Sequence, residues 1–325
     1  MAMPTNLNIE ELIYDGKDAL SINALSAGLK KVRIKGIKQL EINFRDNLKL
    51  VENMVALPLV LLSLEHYQRA LVPYEVVAAV KSRLQKKSFS EARKEVFESD
   101  VLPKRRATIN EAIDGAEKEF LDLLQGNWGE LRSTYEALLF SGSVWIWCSF
   151  EILMKELWEL ALNYGGSYTS KNVVSKLSNL EHRGSIDLLR GRYISLDYLA
   201  KHGYNISNKL GSALSCKFDF TSVNGIREAY LCAFPKSANI RDALENKGII
   251  RLEATRNVVV HNAGVVDEAF CDKVNVSKSE IGKRLQLNTH KLFDYGNSSI
   301  DVGLRVMTAV SSILSYAKSL KQEGK

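Results

Sequence analysis

Proline falls at positions 4, 58, 73 and 103 and then not again until 235. A proline removes one helical hydrogen bond and its ring clashes with the preceding turn, so helices seldom run through it. The long proline-free stretch from 104 to 234 therefore leaves room for long helices. Pro103 is followed at once by Lys104, Arg105 and Arg106, and this interruption puts a domain boundary near 100–107. The expected organisation is a mostly helical N-terminal region over 1–106 and an all-α helical bundle over 107–325. No internal repeat or low-complexity tract breaks this two-part pattern.

In the second part, apolar residues at helical spacing predict a helix over 109–124 and a long one over 128–163 that stops at Gly165-Gly166. The long helix is apolar on most sides between 137 and 162, which suits the centre of a bundle or a subunit interface. Glu151 is a lone carboxylate in that wall, on a polar edge or as the buried partner of an arginine. Shorter helices are expected over 173–180, 186–199, 222–232 and 240–244. A key helix follows over 248–261, and a closing one over 298–320 with Val302, Val306, Val310 and Ile313 on one face. In the first part, residues 32–44 (VRIKGIKQLEINF) alternate apolar and polar, which predicts a short strand pair turning near Gly36. Helices are expected over 48–71, kinked or interrupted at Pro58, then over 74–85 and 90–99.

Charge is uneven along the chain. Residues 1–106 hold 18 Lys and Arg against 13 Asp and Glu, whereas residues 107–325 hold 26 against 25. One basic cluster comprises Lys30, Lys31, Arg33, Lys35 and Lys38, a second Arg83, Lys86 and Lys87, and a third Lys104, Arg105 and Arg106. Such clusters can track a phosphate backbone through counterion release, and they equally suit a solvated face. The longest apolar run, 54–64, contains Pro58 and is short for a bilayer span. No charged start leads into an apolar h-region. The four cysteines (148, 216, 232, 271) are far apart, without the paired spacing of a zinc site. The expectation is a soluble, cytoplasmic protein with free thiols, no bound metal and no membrane partner.

Two nucleotide-dependent chemistries lack their motifs. No G-x4-G-K-[ST] phosphate loop occurs. Gly142-Ser143 runs into Trp145-Ile146-Trp147 rather than into the spaced carboxylates of a nucleotidyltransferase.

The stretch Arg256-Asn257-Val-Val-Val-His261-Asn262-Ala-Gly264 is different. It brings a guanidinium, a carboxamide and an imidazole together at the end of a largely apolar helix. Spacing alone is uninformative, since Arg284 and His290 lie at a similar one, six positions apart against five; that pair lies in an alternating segment and lacks the adjacent amide. At 100° per residue, Asn257 and His261 share one helical stripe, and the long Arg256 side chain can reach round to the same anion. Asn262 and Gly264 are residues that commonly close a helix, so His261 would sit at its negative end. A histidine suits proton transfer near neutrality. The alternative is a capped helix end whose Arg and His interact with the last carbonyls.

This stretch resembles the R-N-x3-H form of the R-x4-6-H motif of HEPN domains, small all-α bundles of which many cleave RNA. The resemblance extends over about 128–320. Phe150-Glu151 on the long helix is similar to the aromatic–acid pair common in the family's first core helix. Val265-Val266-Asp267 and Ile281-Gly282-Lys283 are similar to its connection before the closing helix. The insertion over 183–247 is longer than a minimal bundle needs, and residues 1–106 resemble no family. What the resemblance implies is an endoribonuclease that needs no cofactor and works as a homodimer. Arg256 would stabilise the phosphorane, His261 would transfer protons, and Asn257 would orient the imidazole or the phosphate. Glu151 and Asn262 would support them. Products would be 2′,3′-cyclic phosphate and 5′-OH ends, and DNA would resist for want of a 2′-OH. By analogy, the implied setting is a toxin or phage-defence effector with an antitoxin or defence partner. The alternative is an inactive HEPN-like dimeric scaffold that binds RNA or a protein through the basic N-terminal region.

Overall fold

The computed structural model describes residues 20–30, 32, 34–126, 129–165, 169, 172, 173, 175 and 209–323. Among these residues the chain is all-α, and the one β-type contact is an isolated bridge between Val265 and Arg284. In chain order the helices are α1 (Ile22–Gly28), α2 (Lys35–Gln85), α3 (Phe89–Val96), α4 (Arg105–Gln125) and α5 (Gly129–Gly165). After these come α6 (Leu210–Ser215), α7 (Val223–Ala233), α8 (Ala238–Ala243), α9 (Lys247–Asn262), α10 (Glu268–Val274) and α11 (Thr289–Glu323). The helices expected over 173–180 and 186–199 lie almost wholly outside the described residues.

The strand pair expected over 32–44 does not form: residues 35–44 are the start of α2, a single helix of 51 residues. The alternation there is local. A longer period overrides it, because Ile37, Glu41, Phe44, Leu48, Val51, Val55 and Leu59 recur every three or four residues and all are buried. Burying a side chain the size of Val, Leu or Phe contributes about 1.5–3 kcal/mol, which outweighs the weak strand preference of the alternating segment. Glu41 is tolerated in this stripe because Ser26 Oγ (3.0 Å) and Arg45 Nη1 (3.2 Å) both donate to its carboxylate. Of the two readings at Pro58 the interruption does not occur, and 74–85 is not a separate helix: Pro58 and Pro73 both lie inside α2. The real punctuation follows Gln85. Lys86 turns with φ 52°, and Ser88 starts α3 with a reciprocal capping box to Glu91. A π turn (Phe97–Val101) and a 3₁₀ turn with Pro103 (Leu102–Lys104) then connect α3 to α4.

The chain divides into two compact units. The first comprises Glu52–Leu139 and Gln286–His290 in its described part, and the second the described parts of Ala19–Val51, Phe140–Leu285 and Lys291–Lys325. In the first unit α4 buries Ala112, Ala116, Phe120 and Leu124, and Phe120 meets Tyr135 edge to face at 5.2 Å. His66 Nε2 lies 2.7 Å from Glu119 Oε2. A Cβ on Gly115 would come within 2.8 Å of the same imidazole, so a side chain there would force His66 to shift.

The second unit is built on α5. Ile146, Trp147, Phe150, Leu157 and Trp158 are fully buried. Trp158 Nε1 donates to the Ala229 carbonyl (2.9 Å) and Tyr230 Oη to the Met154 carbonyl (2.8 Å), locking α7 onto α5. Val302, Val306 and Val310 of α11 are buried in the same unit, the spacing of a packed helix face. By length and composition Lys35–Gln85, Glu130–Tyr164 and Thr289–Ser319 are long and apolar enough to cross a membrane, although no uninterrupted apolar run is. The apolar windows of the last two are 56% and 50% buried within the protein; that of α2 is 22% buried.

Candidate functional site

The site rests on α9. Asn246 starts the helix, its side chain accepting from the amides of Gly248 (2.7 Å) and Ile249 (3.4 Å). Ile249, Leu252, Ala254 and Val258 then bury the inner face. Two polar residues tie that face down. Thr255 Oγ1 bonds Tyr295 Oη at 3.3 Å. Glu253, 2% exposed, accepts from Lys273 Nζ (2.5 Å) and from the Val223 amide (3.2 Å), which joins α9 to α10 and α7. A carboxylate so buried is tolerated only with such partners.

At its C-terminal end the helix stops in two left-handed residues, Ala263 (φ 50°) and Gly264 (φ 82°), whose amides both bond the Val258 carbonyl. The loop that follows is zipped to a second loop. The Val266 amide donates to the Lys283 carbonyl (2.9 Å), Gly282 to Val266 (2.9 Å) and Leu285 to Gly264 (2.7 Å). These are the two stretches of the expected connection. Val266, Phe270 and Cys271 pack on Ala254 and Val258 beneath it. The last two turns of α9 are thus held on the inside by packing and at the end by hydrogen bonds.

Their outer side carries the motif. Arg256 and Asn257 are half-buried, and Val260 and His261 are exposed. Arg256 Nη1 donates to Asn257 Oδ1 at 3.0 Å. The imidazole of His261 stands free in the final turn, about 7.5 Å further along the axis at the α-helical rise. Asn262 points away: its Nδ2 donates to Asp267 Oδ2 at 2.6 Å, while Asp267 Oδ1 caps α10 through the Phe270 amide.

Glu151 of α5 is half-buried beside this face. Burial raises its carboxyl above the usual carboxylate range, while the Arg256 guanidinium and the Trp147 indole N–H pull it back. Neither opposing contact closes into a direct bond. Trp147 Nε1 and Arg256 Nε are both buried with no hydrogen-bond partner of normal geometry. Cys148, one residue from Trp147, is also pushed up by burial and by Glu151, against Arg256. The structure therefore brings Arg256, Asn257 and Glu151 together, leaves His261 one turn away, and commits Asn262 to the loop.

Trp147 and Glu253 were not singled out by sequence reasoning. The i, i+4 spacing of Trp147 and Glu151 on one helix was a usable signal. No local pattern connects Glu253 to Lys273, twenty residues on.

Arg284 lies over the Phe140 ring at 5.5 Å and bridges to Val265, so it serves the loop rather than a second motif. Of the basic residues, Lys30, Lys35 and Lys38 are exposed in the second unit, and Lys104, Arg105 and Arg106 are exposed in the first. Lys31 and Arg33 lie outside the described residues. Arg105 and Arg106 open α4 with no acidic residue in its first turn, so the helix dipole adds to their positive potential. Among the described residues no three His, Cys, Asp or Glu side chains gather where a metal could be held. Compared with family models, curated proteins and solved structures, the chain matches none.

Proposed function

We propose that the chain is an endoribonuclease of HEPN type, with Arg256, Asn257 and His261 as its working groups. The observation that carries this reading is the outer side of α9. There a guanidinium with unspent hydrogen-bonding capacity, a carboxamide and an unencumbered imidazole share a helix end fixed by packing and a double cap. The reaction needs no more than these. The 2′-oxygen attacks the adjacent phosphorus, its proton passes to a base, and the bond to the 5′-oxygen breaks as that oxygen takes a proton. His261 transfers protons, Arg256 neutralises charge growing on the phosphorane oxygens, and Asn257 holds the guanidinium in place. In this reading two copies pair so that their motifs share a cleft, RNA is the substrate, and a toxin or defence role under a protein partner follows by analogy.

The test is cleavage of single-stranded RNA in EDTA. The expected products carry 2′,3′-cyclic phosphate and 5′-OH ends, and a substrate with 2′-deoxyribose at the scissile position stays intact. Arg256→Ala and His261→Ala are each expected to lose at least 100-fold in rate, the scale of a lost acid–base or charge-stabilising group, with helical circular dichroism unchanged. Undiminished cleavage by both variants would overturn the assignment.

One observation favours a second reading, that of an inactive HEPN-like scaffold. Arg256 is half-buried, bonded to Asn257 and drawn toward Glu151, as a structural arginine would be. Retention of RNA without cleavage by the wild-type protein is the outcome that selects it.

A further inference from the structure

Helix α2 carries an apolar face that nothing among the described residues covers. Leu57 is 51% exposed, Leu61 57%, Leu64 53%, Val72 56% and Val76 57%. Together with Leu50 and Val60 they present on the order of 600 Å², the upper end of the largest apolar patch on a typical monomer. The face has an order of its own. Leu50, Leu57, Leu64 and Leu71 recur every seven residues, and Met54 and Leu61 fill the alternating positions between them. That is a coiled-coil seam with leucine at every d position. The next residues in the alternating register are Gln68 and Glu75. Pro58 and Pro73 sit beside the seam rather than on it, 80° and 140° round the helix from Leu50 at 100° per residue.

We propose that this seam binds the same seam of a second copy of the chain, helix against helix. A 3.5-residue period is what two supercoiling helices share, and a face of identical leucines is complementary to itself. Gln68, the one polar residue in the register between Leu50 and Leu71, sets it at some cost in stability. With flanking residues the pairing approaches the ~800 Å² per partner of a standard interface. Charge argues against a lipid surface as occupant. Between Lys49 and Lys81 the sole basic residue is Arg69, and it is tied to Glu65 at 2.5 Å. A helix lying on anionic lipid needs a row of Lys and Arg on its flanks. The opposite side of α2, at Val51, Val55 and Leu59, is buried in protein rather than offered to lipid.

Sedimentation equilibrium of the full chain at micromolar concentration tests this. Leu61→Glu/Leu64→Glu places like charges at the seam and is expected to halve the wild-type mass, with circular dichroism unchanged because both side chains are exposed. Leu61→Met/Leu64→Met keeps the seam apolar and is expected to keep the mass. If the Glu pair unfolds the chain, Gln68→Lys at the same seam replaces it, with the same expected fall in mass. A wild-type monomer, or a mass that these charges leave unchanged, overturns the proposal. So does a wild-type monomer that floats with vesicles of half anionic lipid, which assigns the face to a membrane. The mass is read without RNA, so a protein that pairs but does not cleave fails the ribonuclease reading alone.

Discussion

Glu151 concentrates the physical tension of the site in one residue. It is half-buried, its carboxyl is raised chiefly by burial, and of the groups that offset this, Arg256, Trp147 and Lys155, the first two reach it through space without a direct bond. The sign of its effect on stability follows. A carboxyl whose folded pKa lies above its unfolded value holds its proton more tightly in the native state. Its favourable contribution is complete below the ordinary carboxylate range and is lost as pH rises through the raised value. At neutral pH, ionised Glu151 therefore costs stability. Glu151→Gln is expected to stabilise the protein at pH 7 relative to pH 4, by less than ~1 kcal/mol because water screens a half-exposed group. Urea unfolding at the two pH values measures it. A variant weaker at pH 7 than at pH 4 would mean that Arg256 more than compensates the burial, and that Glu151 and Arg256 act as a true ion pair.

At the scale of the element, the end of α9 decides where His261 stands. Gly264 has φ 82°, and a Cβ there would meet the Phe140 ring at 3.0 Å. Gly264→Ala therefore combines left-handed strain, about 1–2 kcal/mol for a residue with a Cβ, with a tight contact that the Phe140 ring must relieve by a small shift. Ala263 already bears such strain at φ 50°, so Ala263→Gly is expected to recover part of it. Thermal melts should move in opposite directions, down by several degrees for Gly264→Ala and up by less for Ala263→Gly; shifts of the same sign would refute the cap as described. Most of this element was legible in the sequence. The extent of α9, its closure near Asn262 and Gly264, and the shared stripe of Asn257 and His261 all follow from local spacing. α2 was less legible, because the alternation over 32–44 and the two prolines are strong local signals. What overrides them is the buried stripe from Ile37 to Leu59, visible only when the 3.6-residue period is followed across twenty residues. The Glu253–Lys273 pair was not legible at all, since the packing of α10 on α9 sets it.

At the scale of the whole molecule, the +6 net charge bears on the proposed RNA partner. Sequence reasoning grouped the basic clusters because all lie in the first third of the chain. The structure assigns Lys30, Lys35 and Lys38 to one unit and Lys104, Arg105 and Arg106 to the other, so proximity in sequence does not make them one surface. Salt dependence separates their contributions. Each phosphate neutralised on a single strand steepens the fall of log Kobs with log salt by about 0.7. Replacing Lys104, Arg105 and Arg106 with alanine should therefore flatten the slope by about 2 if all three meet phosphate. The triple alanine variant at Lys30, Lys35 and Lys38 gives the matching figure for the second unit. Binding is measured on a single-stranded RNA in a His261→Ala background, so that cleavage does not deplete the ligand. A slope that flattens for only one variant assigns the backbone track to that unit, and two slopes equal to wild type exclude both clusters. In that last case the cluster of Arg83, Lys86 and Lys87 and the outer side of α9, where Arg256 is the one cation of the motif, are what is left, and a shallow wild-type slope of about 0.7 would be the signature of α9 alone.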